Sequence, residues 1–309
     1  MKTGRYLNAG LFVLLAVLWG FSFVAIKTGL GELPPVFFAA VRFDVAVPFL
    51  LVFVAWRYDT WLPQNRADYA GVVVGAAALI AGNNGFLFLG QQAITPAAAS
   101  VMYGLNPILA PALAFVLLDQ RLDAVGLVGI AVGLLGVAII VQPSPETLTS
   151  GSTVGQLLVL AAAMSVALGS VLLQRVDATL DSIPLTAWAM ALGALLLHVV
   201  SVAIGESAAG ATVTMPVVYA VLVLGVLSTA VAYPIFFTLI RKIGPVRTNL
   251  VAYAVPIFAA ITSWLLFGES VTQSTAVGFL VVVAGVALLE RQVVREELGR
   301  VYQRVSPTA

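Results

Sequence analysis

A block of about fifty residues recurs without a gap 149 positions further along a chain that is apolar almost from end to end. Ile94, Pro96, Pro107, Ile108, Ala110, Leu117, Val128, Gly129, Val132, Gly136, Val137 and Ala138 reappear as Ile243, Pro245, Pro256, Ile257, Ala259, Leu266, Val277, Gly278, Val281, Gly285, Val286 and Ala287. Upstream the match is weaker: Ser22 and Lys27 align with Ser170 and Arg175, and Pro35 with Pro184. An internal duplication in such a sequence points to a membrane protein built from two repeats with its site at their interface.

Composition sets the solvent. With 61% hydrophobic and 9% charged residues and a mean hydropathy of +1.05, the chain cannot cover itself with a soluble surface, which needs about a quarter charged residues. The lipid bilayer is therefore its first partner. No basic arm or patch suits nucleic acid, and the absence of cysteine excludes disulfides, thiolate chemistry and Cys-ligated metal. The first apolar stretch is long and carries Lys27, with no small-residue cleavage site before a soluble domain, so a cleaved signal peptide is not expected.

A helix needs roughly 20 apolar residues to cross the hydrocarbon core. Cutting the chain at its polar and Pro/Gly-rich breaks gives ten spans, near 8-30, 33-56, 69-90, 94-118, 123-142, 153-175, 183-205, 215-241, 245-267 and 273-290. The runs are too long and too poorly alternating for barrel strands, so the expected fold is an all-α integral membrane protein. Lys2, Arg5, Arg57, Arg66, Arg121, Arg175, Arg241, Lys242, Arg247, Arg291, Arg295, Arg300 and Arg304 fall in one set of loops and termini, 13 of the 15 basic residues. The opposite loops hold none, which places both termini in the cytoplasm of a cell (inner or plasma) membrane. Five helices per repeat is an odd number, so the second copy enters from the opposite side. The expected domains are a first five-helix repeat over 1-142, an inverted second repeat over 153-290 and a cytoplasmic tail over 291-309.

Trp19-Gly20-Phe21-Ser22 in span 1, Pro35 with Arg42 in span 2, and the paired blocks from Ile94-Thr95-Pro96 and Ile243-Gly244-Pro245 resemble the EamA family of the drug/metabolite transporter superfamily. The resemblance covers almost all of the chain outside the tail. It implies ten helices in two inverted five-helix repeats around a central cavity lined mainly by spans 1, 3, 4, 6, 8 and 9, and an activity of moving small metabolites, commonly export of amino acids or related compounds. One departure is visible: the Gly-Glu that follows the fourth helix of a repeat stands as Gly268-Glu269 in the second copy but as Asp119-Gln120 in the first.

Charges inside a span cost roughly 3 kcal/mol or more and should face protein or water. Arg42 and Asp44 lie well inside span 2 and, two residues apart, point about 200° away from each other, so each needs another partner. Arg42 reads as an attractor of a substrate carboxylate or as a clamp between helices; Asp44 reads as a proton carrier or a clamp. Lys27, in the last turn of span 1, attracts anions, snorkels to headgroups or pairs locally. His198, the sole histidine, is either a proton-coupling group or a packing residue in a peripheral helix.

Uncharged polar residues near mid-membrane form the expected substrate site: Asn83 and Asn84 in span 3, Tyr103 and Asn106 in span 4, Ser165 in span 6, Ser228 and Tyr233 in span 8, and Asn249 and Tyr253 in span 9. An amide or phenol in hydrocarbon needs a hydrogen-bond partner, which a substrate or a neighbouring helix supplies. Trp19 stacks on substrate or packs over Gly20. Pro107 and Pro256, at equivalent positions, each free a carbonyl and bend a helix, as hinges or fixed curvature. Glycines seven apart, Gly129 with Gly136 and Gly278 with Gly285, mark close helix packing, and a homodimer is one assembly such faces allow. The tail alternates Arg with Glu and suits a headgroup surface. No P-loop or other nucleotide motif occurs; no cofactor, metal or enzymatic chemistry is expected. The expected function is a secondary transporter of small metabolites, with a multidrug or quaternary-amine exporter and a non-transporting membrane scaffold as alternatives.

Overall fold

The computed structural model describes residues 2–118, 122–142, 151–209 and 213–291. The tail beyond Arg291 and the Asp119-Gln120 departure lie outside them. Among the described residues every regular element is helical. They are α1 (Lys2–Leu30), α2 (Pro35–Arg57), α3 (Arg66–Gln91), α4 (Pro96–Leu117), α5 (Ala124–Val141), α6 (Gly151–Val176), α7 (Ser182–Ala203), α8 (Met215–Ile243) and α9 (Arg247–Phe267), and α10 (Gln273–Leu289). The first nine are long and apolar enough to cross a membrane, and α10 is a shorter apolar helix of 17 residues. Large side chains such as Val52, Trp56, Val202 and Leu280 are exposed on the outside. Such a surface is stable only in lipid or against another apolar body.

Helix starts follow local chemistry. Asp123 and Thr272, 149 residues apart, cap α5 and α10 through the N–H groups of Gly126 and Thr275. Each such cap contributes about 1 kcal/mol. Thr95 caps α4 ahead of Pro96. The start of α2 is capped from elsewhere: the Glu206 carboxylate accepts from Val36 N (3.0 Å) and Phe37 N (2.8 Å), and Ser201 Oγ donates to it (2.7 Å). On the side of α3's start, Asp68 is 1% exposed and accepts from the backbone of Gln64, Thr179 and Leu180, tying α3 to the α6–α7 connection. Gly268, at φ +67°, ends α9 in the left-handed conformation that glycine adopts without strain.

The repeated glycines find their partners inside the chain. A Cβ on Gly129 would lie 2.7 Å from the Gly285 carbonyl, and one on Gly136 would lie 2.8 Å from the Gly278 carbonyl. Hence α5 and α10 run antiparallel in backbone contact, and this face is spent within one protomer rather than between two.

The third and eighth spans, whose sequences match only as generally apolar segments, share a backbone irregularity. Gly75–Gly82 of α3 and Val223–Val231 of α8 are both wound as π-helix. Their first residues are 148 apart and their last 149. Such insertions concentrate at functional sites.

Candidate functional site

Each π segment misdirects one hydrogen bond at the same place. In an unbroken α-helix the Asn83 N–H would reach the Leu79 carbonyl; here it reaches Ala78, five residues back, so Leu79 is released. In α8 the Ala232 N–H reaches Leu227 instead of Ser228, and the Ser228 carbonyl is released. A third carbonyl, Tyr103, loses its donor because Pro107 has no N–H. A buried carbonyl without a donor costs about 1–3 kcal/mol, and each of these three is served by a side chain. Asn83 Nδ2 donates to Leu79 O (3.2 Å), Asn106 Nδ2 to Tyr103 O (2.9 Å) and Trp19 Nε1 to Ser228 O (3.2 Å). Asn84 Nδ2 likewise donates to Ile80 O (2.8 Å).

These plugs orient the amides. A carbonyl only accepts, so the amide nitrogen must turn toward its own helix and the oxygen away from it. The Asn83 and Asn106 Oδ1 atoms are buried and have no hydrogen-bond partner among the described residues.

Asn83 and Asn106 are among the residues that line a cavity of about 170 Å³, and residues from both copies of the duplication form its wall. α1 contributes Trp19 and Ser22, α2 Arg42, α3 Asn83 and Asn84, α4 Ser100, Tyr103 and Asn106, α8 Ser228 and Tyr233, and α9 Ala252 and Val255. Trp19 is held in position by its bond to Ser228 and by ring contacts with Tyr233 (5.9 Å) and Phe236 (5.2 Å). Phe23 meets Tyr103 edge-on at 6.0 Å. Gly225, inside the α8 π segment, lets α2 approach so closely that a Cβ there would lie 2.8 Å from the Arg42 carbonyl.

Arg42 is 9% exposed, its guanidinium lies 4.4 Å from the Phe43 ring centre and 5.6 Å from that of Phe88, and its Nε has no hydrogen-bond partner among the described residues. Among the described residues no Asp or Glu lines the cavity. Its contact with Phe88 joins α2 to α3, and Arg42 also lines the cavity.

Trp19, Asn83, Asn84, Tyr103, Asn106 and Tyr233 are thus brought together, with Arg42 and Ser228 among them. Others go elsewhere. Ser165 donates to the Ala78 carbonyl (2.9 Å) in the α3 π segment and locks α6 to α3. Asn249 is exposed near the start of α9. Tyr253 is one residue past the cavity-lining Ala252 and packs against the apolar cluster that includes Ala163 and Val282, its hydroxyl buried. Asp44 faces outward and bonds His198 Nε2 at 2.8 Å, joining α2 to α7. Lys27 forms an ion pair with Glu269, which also accepts from Ser263 Oγ (2.6 Å). This latch joins the end of α1 to the end of α9. Arg175, the repeat equivalent of Lys27, donates instead to the Leu117 carbonyl at the end of α4.

Pro107 and Pro256 occupy equivalent sequence positions but different backbones. Pro107 sits in the first turn after a break at Gly104 and Leu105, whereas Pro256 is buried inside the continuous run Val251–Phe267. Asn106 stabilises the break by serving Tyr103; its equivalent, Val255, has no amide to serve Ala252. Two further polar residues were not singled out by the sequence. Ser100, buried in the cavity wall, lies three residues before Tyr103 and so on the same helix face, which is the signal that would have found it. Gln91 donates to the Phe23 carbonyl, a bond between helices that no local pattern announces.

The EamA-like transporter family model matches twice, over residues 8–142 and 153–291. The chain belongs to this family. Similar proteins include the uncharacterized transporter YoaV of Bacillus subtilis, 26% identical over 88% of this chain and 92% of its own length. The uncharacterized inner membrane transporter YedA of Escherichia coli is 28% identical over 91% and 89%. A WAT1-related chloroplastic protein of Arabidopsis thaliana is 25% identical over 93% and 70%. One solved crystal structure superposes with a TM-score of 0.65 at 20% identity, covering 94% of this chain and 98% of that one, a likeness of fold. This is a multi-pass membrane protein of a transporter family.

Proposed function

We propose that this EamA-family chain is a secondary transporter that moves small metabolites, amino acids or related amphipathic compounds, outward by alternating access. The observation that carries this reading is a cavity, mainly apolar with polar side chains set in its wall, formed by both copies of the duplication. In the proposed arrangement ten helices, α10 included, form two inverted five-helix repeats with both termini in the cytoplasm of the inner or plasma membrane. The antiparallel contact of α5 with α10 and the matched π segments support that arrangement. A site between inverted repeats opens to either side as the halves exchange conformations. Nothing in the wall resembles a nucleophile with its base, and the reading is of a non-enzymatic carrier.

The aromatic wall of Trp19, Tyr103 and Tyr233 also suits a quaternary-amine or drug exporter, and Arg42 counts against it. The test is release from proteoliposomes loaded with amino acids, amines and nucleosides, followed by mass spectrometry with and without a pH gradient. Selective loss of one compound class is expected. Release no faster than from protein-free liposomes would overturn the transport reading, and the response to the gradient separates proton antiport from facilitated diffusion.

A further inference from the structure

Asp44 and His198 bond one another on the outside of the molecule and take no part in the cavity wall. Asp44 is the tenth of the 23 residues of α2, about 14 Å from the helix start at 1.5 Å per residue. That is near the middle of a hydrocarbon core roughly 30 Å thick. Yet 48% of its side chain and 36% of that of His198 are exposed. Ionisable groups at such depth belong against protein or water, because lipid tails offer no hydrogen bond.

The pair is also incomplete. Nε2 of His198 meets Oδ2 of Asp44 at 2.8 Å, and this is the single hydrogen bond of either side chain among the described residues. Pro48, exposed one turn further along α2, has no N–H to give the Asp44 carbonyl. Asn106 serves the Tyr103 carbonyl that Pro107 frees, but no side chain among the described residues serves this one. A net charge in lipid is the costliest option, so the pair holds two protons. One lies between Oδ2 and Nε2; the other is on Nδ1, whether the shared proton sits on the imidazole or on the carboxyl. The face thus offers one donor, Nδ1–H, and two acceptors, Oδ1 and the carbonyl of Asp44.

We propose that the face shared by α2 and α7 binds a second copy of this chain, with Asp44 and His198 at the polar centre of a twofold dimer. A twofold axis along the membrane normal keeps each group at the same depth in both copies and makes the contact reciprocal. The Nδ1–H of each protomer then meets an acceptor of the partner's Asp44, a hydrogen bond across helices of the kind that joins them in lipid. A phospholipid does not fill this role, since its polar atoms end at the edge of the hydrocarbon core. Phe37 meets the His198 ring edge-on at 5.8 Å and steadies it. Val52 on α2 and Leu195, Val199 and Val202 on α7, all exposed, supply the apolar surround. Arg42, two residues before Asp44 and on the opposite side of α2, lines the cavity, so the contact leaves the cavity free.

The test counts protomers. The purified full chain, carrying one dye, is reconstituted in phospholipid vesicles over a range of protein-to-lipid ratios, and bleaching steps are counted. Two steps should dominate where a monomeric membrane protein shows one. Asp44→Leu combined with His198→Leu suits a lipid-facing surface and should need roughly 10-fold more protein per lipid to reach the same dimer fraction. A second readout leaves the pair intact. Val202→Cys, in a chain with no cysteine of its own, should cross-link to its partner on oxidation several-fold faster than Leu280→Cys, which is exposed on α10. Single-step bleaching at every ratio, an undiminished dimer in the double variant, or equal cross-linking at the two cysteines overturns the assignment. Each of these outcomes leaves the transport reading to its own release assay.

Discussion

The indole N–H of Trp19 donates across 209 residues of sequence to the Ser228 carbonyl, at 3.2 Å. That carbonyl is free only because α8 is wound as π-helix there, so the bond ties the first repeat to the irregularity of the second. Trp19→Phe keeps the ring contacts with Tyr233 and Phe236 but leaves the carbonyl unserved. A loss of about 1–3 kcal/mol is expected, read as a lower midpoint in thermal unfolding of the detergent-solubilised protein. An unchanged midpoint would mean the bond contributes nothing.

Asn106 and Pro107 are coupled through the Tyr103 carbonyl. Asn106→Leu should destabilise by about 1–3 kcal/mol, although it makes an apolar chain more apolar. Adding Pro107→Ala should return part of that loss, because the alanine restores the N–H that the Tyr103 carbonyl lacks. A double-mutant cycle on unfolding midpoints measures the coupling. Strict additivity would sink the idea.

Gly136 has the Gly278 carbonyl and Val282 within 3 Å of where a Cβ would stand. Because much of that obstruction is backbone, Gly136→Val should cost about 1–3 kcal/mol or more and reduce the monodisperse fraction after purification. Gly10→Val, with open space around it, serves as the control and should leave both unchanged.

Lys27, next in sequence to the cavity-lining Ile26, pairs with Glu269, which Ser263 backs, and this latch is expected to gate that end of the cavity. Glu269→Gln weakens that latch. A cysteine introduced at Ile26, in a chain with no cysteine of its own, should then react several-fold faster with a membrane-impermeant maleimide. Exchanging the charges, as Lys27→Glu with Glu269→Lys, should restore the slow rate. If the single and double variants react alike, the pair is not a gate.

Much of the fold is legible in the sequence because solvent and geometry act on the chain locally. Runs of about 20 apolar residues specify helices in lipid, the 149-residue recurrence specifies two like halves, and the Gly129/Gly136 and Gly278/Gly285 pairs specify close packing. The depth of Asn83, Asn84, Tyr103, Asn106 and Tyr233 within their spans marked them as polar groups needing partners, and the structure gathers them. Ser165 and Asn249, chosen by the same rule, went elsewhere, since depth along a helix does not fix which face turns inward.

What only the tertiary structure decided is the use of each polar group. Hydrophobic periodicity is nearly blind to the π segments, because Gly75–Gly82 is apolar throughout and Val223–Val231 is apolar but for Ser228 and Thr229; the irregularity is held by neighbours such as Ser165 on α6 and Trp19 on α1. Arg42 read as clamp or anchor, and the structure sets it in the cavity wall with its guanidinium near the ring of Phe88 on α3, while Asp44 acquired His198 from a helix 154 residues away. Sequence set the solvent, the helices and the duplication through short-range chemistry. The cavity and the pairing of its polar groups arose from which helix faces met, a matter of long-range packing that no local pattern encodes.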